Sequence, residues 1–280
     1  MNANLEIESA PRFGFGANWT RFLSTLSEER IVAAQVSLRE MLCLDSLEGL
    51  RFLDIGSGSG LMSLAARRLG ATVHSFDFDP ESVMCTQVLK RRYYSDDARW
   101  LIEQGSVLDS GYLQKLGVFD IVYGWGVLHH TGAMWLAIEN AIHRTSASGG
   151  ILFLAIYNDQ GVKSHLWWLI KRCYNGLPHS CRGPFAAVLR LLIILLSVLK
   201  HTLRLRPMVV LAPLFTDRRE RGMSAKYDWT DWVGGFPYEF ASFESLRAYV
   251  EARGFTLINA RRTIDSGCNE LVFRRTTCAG

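Results

Sequence analysis

Residues Phe52-Leu53-Asp54-Ile55-Gly56-Ser57-Gly58-Ser59-Gly60 constrain the fold of this chain more than any other stretch. An apolar run meets an acid, Asp54, and then passes through three alternating glycines. Leu61 to Leu69 follows with helical spacing and good helix formers. A buried strand, a glycine turn and a helix open a βαβ unit of the kind that binds nucleotide-like cofactors. The glycine spacing separates the cofactors. A dinucleotide turn needs G-x-G-x-x-G, which would place the third glycine at Leu61 (from Gly56) or at Ser63 (from Gly58). Both fail, and the pattern present is D-x-G-x-G-x-G. Such a turn lets the backbone approach a phosphate-free cofactor, because glycine has no Cβ and tolerates positive φ.

Further strands and helices alternate along the chain. Strands are expected at Leu50–Ile55, Thr72–Asp77, Trp100–Glu103, Val118–Tyr123 and Gly150–Tyr157. Asp79-Pro80 reads as an N-cap followed by a first-turn proline. Helices are expected at Ala133–His143 and, capped by Ser242, up to Arg253; two last strands follow at Phe255–Ala260 and Glu270–Arg274. Alternation of this kind implies a parallel sheet with right-handed crossovers. Four regions emerge: an arm and cap helix (1–48), a core (49–157), a helical insertion (158–240) and a C-terminal completion of the sheet (241–280).

Together, Asp54-Ile55-Gly56-Ser57-Gly58-Ser59-Gly60, Asp77 at the end of the second strand and the terminal helix and hairpin resemble the class I S-adenosylmethionine-dependent methyltransferases. Tyr157-Asn158-Asp159-Gln160-Gly161, Arg221-Gly222-Met223-Ser224 and Gly267-Cys268-Asn269-Glu270 are similar to bacterial members loosely labelled after ubiquinone biosynthesis. The resemblance implies a doubly wound, Rossmann-like α/β fold with seven strands ordered 3-2-1-4-5-7-6, the last antiparallel. It implies S-adenosylmethionine as cofactor. Asp54, Gly56, Ser57, Gly58 and Gly60 then form the cofactor loop, Asp77 takes the ribose hydroxyls, and Phe78 lies against the adenine. Asp79 competes with Asp77 but is better placed as a helix cap. Ser106 stands where the family often has an acid for the adenine amino group. Ser106 itself, the Val107 backbone or Asp109 takes over that contact, unless Asp109 is a helix cap.

Gly124 and Trp125, at the end of the fourth strand, are expected near the sulfonium, and Trp19 and Trp125 to help exclude water. Gly124-Trp125-Gly126-Val127 is unlike the N-P-P-Y or D-P-P-Y of enzymes that methylate amino groups of nucleic-acid bases. His129 and His130 are candidate general bases, since histidine titrates near neutrality; one of the pair is otherwise a structural contact. Tyr157, Asn158, Tyr227 and Asp228 are candidate substrate contacts. No Cys or third His supports a metal site at the His pair. The expected reaction is methyl transfer to an oxygen or nitrogen of a small-molecule or lipid-like acceptor. The rival readings are a non-catalytic methyltransferase-like protein that binds a membrane or a partner and, less well matched, a nicotinamide oxidoreductase.

Charge and apolarity concentrate in the insertion. Residues 157–222 carry 11 Lys and Arg against 3 Asp and Glu. Leu166 to Arg172 is amphipathic, and Val188 to Leu199 is apolar except for Arg190 and Ser197. Residues 163–206 therefore read as a lid, a peripheral membrane contact or a homodimer interface. The uninterrupted apolar run falls short of the ~20 residues that span a bilayer. Basic residues interleaved with aliphatics do not suit a nucleic-acid groove. Glu6 and Glu8 stand where a secretory leader would need basic and apolar residues, and no C-x-x-C pair occurs; a reduced, cytoplasmic protein is expected.

Overall fold

The computed structural model describes residues 23, 26–203, 232–264 and 267–276. The aromatic arm with Trp19, and the segment holding Tyr227 and Asp228, lie outside the described residues.

In chain order the described elements are α1 (Glu28–Leu42), β1 (Arg51–Ile55), α2 (Leu61–Arg68), β2 (Thr72–Asp77), α3 (Pro80–Tyr94), β3 (Trp100–Gln104), α4 (Ser110–Leu116) and β4 (Ile121–Trp125). They continue with α5 (Met134–Arg144), β5 (Ile151–Tyr157), α6 (Val162–Gly176), α7 (His179–Leu203), α8 (Phe243–Glu251), β6 (Phe255–Arg261) and β7 (Cys268–Arg275). The sheet has seven strands in the order β3-β2-β1-β4-β5-β7-β6. Strands β1 to β5 pair in parallel, and β7 runs antiparallel to both β5 and β6. This is the expected architecture.

Alternate residues of each strand feed two apolar layers, as the two-residue strand period requires. Leu53, Ile55, Phe76, Val122, Leu152 and Phe273 face α5 and α8. Phe52, Val73, Tyr123, Phe153 and Val272 face α1 and α2, with Trp100 in the same layer. Each such large side chain, fully buried, contributes about 1.5–3 kcal/mol.

The fourth strand is the main departure from expectation. It starts at Ile121 rather than Val118 and runs on through Gly124 and Trp125, opposite Leu154 and Ala155. Val118 is exposed, and the Asp120 carboxylate accepts a bond from the Arg51 backbone N–H at 2.8 Å, where the sheet margin begins. The strand thus extends farther toward the loop edge than its apolar run suggests. In the insertion, the helix expected around Val188–Leu199 is longer: α7 has 25 residues.

Candidate active site

The glycine loop leaves β1 at the carboxyl edge of the sheet, where crossovers to both sides begin. That position is the switch point at which open α/β sheets bind ligands. Gly56 and Ser57 donate backbone bonds to the Phe76 carbonyl, at 2.8 and 3.1 Å, and Gly60 closes the turn on the Ser57 carbonyl at 2.8 Å. Gly56, Gly58 and Gly60 all have positive φ. A Cβ on Gly56 would stand 2.3 Å from Val127 Cγ2. The protein's own Val127 therefore already requires glycine there, in addition to any cofactor. Ser57 Oγ lies 3.0 Å from Thr86 Oγ1, which donates to the Gly58 carbonyl and pins the loop to α3.

Asp77 faces this loop. Its Oδ2 accepts from the Gly58 N–H and its Oδ1 from the Asp79 N–H, both at 2.9 Å. Burial raises its carboxyl to about 6 against these backbone donors, although part of the residue still reaches solvent. Asp79 caps α3, its Oδ1 accepting from Glu81 N–H at 2.9 Å. Phe78 is 44% exposed beside Asp77.

Asp54 lies beneath the loop, not on its surface. It is buried, and Ser63 Oγ donates to its Oδ2 at short range. Ser63 in turn meets Ser75 Oγ at 2.7 Å, and Trp100 Nε1 donates to Ser75 at 2.9 Å. Burial pushes the Asp54 carboxyl up to about 7, the Ser63 bond opposing the rise and the Asp77 charge adding to it.

At the end of β3, Ser106 Oγ accepts from Leu108 N–H at 3.2 Å, and the Val107 carbonyl accepts from Asn140 Nδ2 at 2.8 Å. Asp109 is the cap of α4, accepting from Tyr112 N–H at 2.9 Å. Of the two roles open to Asp109 in the sequence, capping is the one its Oδ1 performs. Gly124 and Trp125 close β4, but the Trp125 ring packs in the α1 layer and its Nε1 donates to Glu270 Oε1 at 3.2 Å.

The other half of the edge is aromatic. A short turn, Leu128–His130, brings His129 against Tyr157 with ring centroids 4.0 Å apart, and His130 lies 4.5 Å from His129. Tyr157 also meets Trp232 at 5.5 Å and Tyr238 at 5.2 Å. Fully buried Lys171, from α6, places its Nζ 4.7 Å from the Trp232 ring centre and 4.8 Å from that of Tyr238, and donates to the Trp232 carbonyl.

His129 is fully buried, and neither ring nitrogen meets a partner at hydrogen-bond geometry. Burial and the His130 and Lys171 charges hold it well below the ordinary histidine value, with only the Ala155 backbone opposing. Burial and Lys171 push His130 down to about 3, although it keeps some solvent contact and its Nδ1 sits 2.6 Å from the Pro237 carbonyl. Both imidazoles are thus neutral at pH 7. The ordinary near-neutral titration expected from the sequence is removed by burial beside a cation.

Asn158, a candidate substrate contact, is engaged by the protein on both amide atoms. Its Nδ2 donates to the Thr263 carbonyl at 3.3 Å, and its Oδ1 accepts from Asn269 Nδ2 at 2.9 Å. The residue ties the end of β5 to the β6–β7 connection. No cluster of His, Cys, Asp or Glu suited to a metal occurs among the described residues.

A family model described as "Methyltransferase domain" matches residues 19–260. The chain belongs to the methyltransferase-domain family. Its fold is that of the S-adenosylmethionine-dependent methyltransferases.

Among curated proteins, the chain is 33% identical over 107 residues to a ribosomal protein L11 methyltransferase of Bacillus velezensis, covering 38% of this chain and 29% of that protein. It is 32% identical over 112 residues to a ubiquinone biosynthesis O-methyltransferase of Brucella ovis, covering 40% of this chain and 43% of that one. The matches thus span less than half the length of these relatives. Among solved structures, the magnesium protoporphyrin IX methyltransferase of Synechocystis PCC 6803 with bound S-adenosylhomocysteine superposes with a TM-score of 0.51 at 16% identity. That superposition covers 90% of this chain and 89% of that one.

The donor set on the loop side fits the family cofactor. Part-buried Asp77 takes backbone N–H groups at 2.9 Å on both oxygens, and each carboxylate oxygen has a second lone pair for a hydroxyl donor such as those of a ribose. The exposed Phe78 ring beside it offers an aromatic face. Lys171 and Tyr238, which the structure brings into the Tyr157–Trp232 cluster, were not among the sequence candidates. Lys171 sits in an amphipathic run and reads as part of its wet face. The available signal was its spacing four residues after Trp167, which places both on one side of α6; Trp167 meets Trp232 edge-on, with ring centroids 5.3 Å apart.

Proposed function

We propose that this methyltransferase-family protein transfers a methyl group to an oxygen or nitrogen of a small-molecule or lipid-like acceptor, with a phenolic or enolic hydroxyl the best match. The observation that carries this reading is the packed cluster of His129, Tyr157, Trp232, Tyr238 and Lys171 at the ends of β4 and β5, which we take as the wall of the acceptor chamber. When bound, S-adenosylmethionine supplies an electrophilic methyl group whose transfer leaves a neutral thioether.

The chain's own residues divide the remaining work. Gly56, Ser57, Gly58 and Gly60 bring the backbone against the cofactor, with Asp54 holding the loop from below. Asp77 receives the ribose hydroxyls and Phe78 the adenine, whose rim falls to Ser106 and the Val107 backbone. The aromatic walls exclude water and orient a flat acceptor, and orientation at near-contact distance supplies much of the rate. His129 and His130, kept neutral, are the groups that hold and take the acceptor proton. They are weak bases here, so a hydroxyl that ionises readily suits them better than an alkyl alcohol. The Lys171 charge that disfavours an imidazolium favours an acceptor oxyanion. Names of relatives support methyl transfer in general and not one acceptor: one relative is an L11 protein methyltransferase, the other an O-methyltransferase.

Titration calorimetry with S-adenosylhomocysteine, with NADH as control, tests the cofactor. Micromolar binding of the former alone is expected. Radiolabelled S-adenosylmethionine with a panel of phenols, amines and alkyl alcohols then tests the acceptor. Transfer to alcohols or amines in preference to phenols would overturn the acceptor class, and binding without transfer to any of them would favour a non-catalytic role.

A further inference from the structure

The helical pair α6–α7 turns one side to the proposed acceptor chamber and the other to solvent. On the inner side Trp167, Lys171 and Tyr174 pack toward Trp232, Tyr238 and Phe185. On the outer side Val162, Leu166 and Leu169 are exposed. In α7 six consecutive residues, Leu191 to Leu196, are all apolar and 36–57% exposed. Successive helical positions are ~100° apart, so six in a row point in every direction, and the described core covers none of those directions fully. The exposed surface is therefore more than the outer stripe of a lid.

Charge indicates what covers it. Apart from buried Lys171, the chain from Val162 to Leu203 carries Lys163, Arg172, Arg182, Arg190 and Lys200 and no Asp or Glu. Arg172 stacks over Trp168 at 5.1 Å, an amphipathic pair suited to a headgroup layer. Arg190 lines a groove of about 420 Å³ where α7 passes α6, with Tyr174, Ala186, Ala187, Leu191 and Ile194. Aliphatic surface interleaved with cations and free of acids matches an anionic bilayer surface.

We infer that α6 and α7 dock this protein onto anionic membranes, with α7 in the interface plane, so that an acceptor dissolved in the bilayer reaches the chamber from the α6 side. The last clause rests on the proposed methyltransferase reading; the docking does not. By length and composition the window His179–Leu196 could span a bilayer, being 6% buried. Arg190, near the middle of that window and costly at a bilayer centre, favours the in-plane position.

Sedimentation of the full chain with phosphatidylcholine vesicles, with and without phosphatidylglycerol, tests this. The expected result is binding to the phosphatidylglycerol vesicles only, weakened by salt and released by alkaline carbonate. Leu192→Glu with Leu195→Glu should lower vesicle affinity at least tenfold and leave S-adenosylhomocysteine affinity unchanged. No binding to either vesicle overturns the docking, as does resistance to carbonate, which would mean a spanning helix. A dimer in light scattering that the double variant converts to monomer, without vesicle binding, would assign the surface to a second copy. Vesicle binding without S-adenosylhomocysteine binding would leave the docking standing and remove the cofactor reading. The opposite pair of results would remove the docking alone.

Discussion

The two halves of the carboxyl edge are built differently. The loop half, around Gly56 to Gly60 and Asp77, is held by hydrogen bonds from the loop to β2 and α3, and its buried ionisable groups are acids. The other half, around the proposed chamber, draws His129, Tyr157, Lys171 and the Trp232–Tyr238 segment from four separate places in the chain. It is held mainly by tilted and edge-on ring contacts, and its buried ionisable groups include His129 and Lys171. Under the proposed function, the hydrogen-bonded loop would suit a cofactor of constant shape and the aromatic cluster an acceptor that varies, since ring contacts depend less on donor position.

The largest effects belong to the loop half. Gly56→Ala forces a Cβ against Val127 at a φ of +73°. Steric overlap and left-handed strain together should cost about 2–4 kcal/mol in denaturant unfolding. Adding Val127→Ala removes both Cγ overlaps but keeps its Cβ at 2.8 Å, so it should restore some of the steric part and none of the backbone part. If the double variant is no more stable than Gly56→Ala, Val127 is not the obstacle.

Asp77→Ala removes the carboxylate that holds Gly58 and faces the proposed ribose. Loss of charged hydrogen bonds worth about 1.5–3 kcal/mol should weaken S-adenosylhomocysteine binding roughly 10- to 100-fold by calorimetry. Near-wild-type affinity would falsify the assignment of Asp77 to the site. In the chamber half, Lys171→Met keeps the length of the side chain and removes the cation. The His130 titration, followed by NMR, should then move upward from about 3.

Acid should act on the two halves with opposite sign. Asp54 and Asp77 have raised values, about 7 and about 6. Their contribution to stability is present below the unfolded carboxylate range and is lost as pH rises through those folded values. His129 is depressed, so its contribution is present above the unfolded histidine value and is lost as pH falls. Between about pH 4 and 6.5 the terms oppose each other. Asp54→Asn removes one acid term. It should steepen the acid loss of stability by up to about 1.4 kcal/mol per pH unit there, read from unfolding at several pH values. An unchanged slope would mean that Asp54 does not take up a proton on folding.

The smallest effect sharpens the boundary of the loop half. Asp109→Ala removes a helix cap and should cost about 1 kcal/mol while leaving S-adenosylhomocysteine affinity unchanged. A tenfold loss of affinity would return Asp109 to the cofactor site.

The strands themselves, the glycine loop and the Asp79 cap could be read from the chain alone, whereas the sheet order came with the family resemblance. The first three rest on local rules: a two-residue strand period, the φ freedom of glycine, and a side chain that bonds its own helix. The end of β4 was misplaced because Gly124 and Trp125 pair with β5, and pairing across strands leaves no local mark. Val127 behind Gly56, Asp54 under the loop and Asn158 locked to Thr263 and Asn269 were likewise beyond the motif that pointed to them. A motif names positions, whereas direction and partners come from packing.

The sequence by itself determined the alternation of strands and helices and the glycine turn, because both follow from short-range spacing; the strand order and the cofactor followed from the family that those motifs resemble. Only the tertiary structure decided the state of the histidines and the role of Lys171. A histidine titrates near neutrality in water. Burial and a cation contributed by a helix from the insertion set its charge here, and both depend on residues distant in the chain.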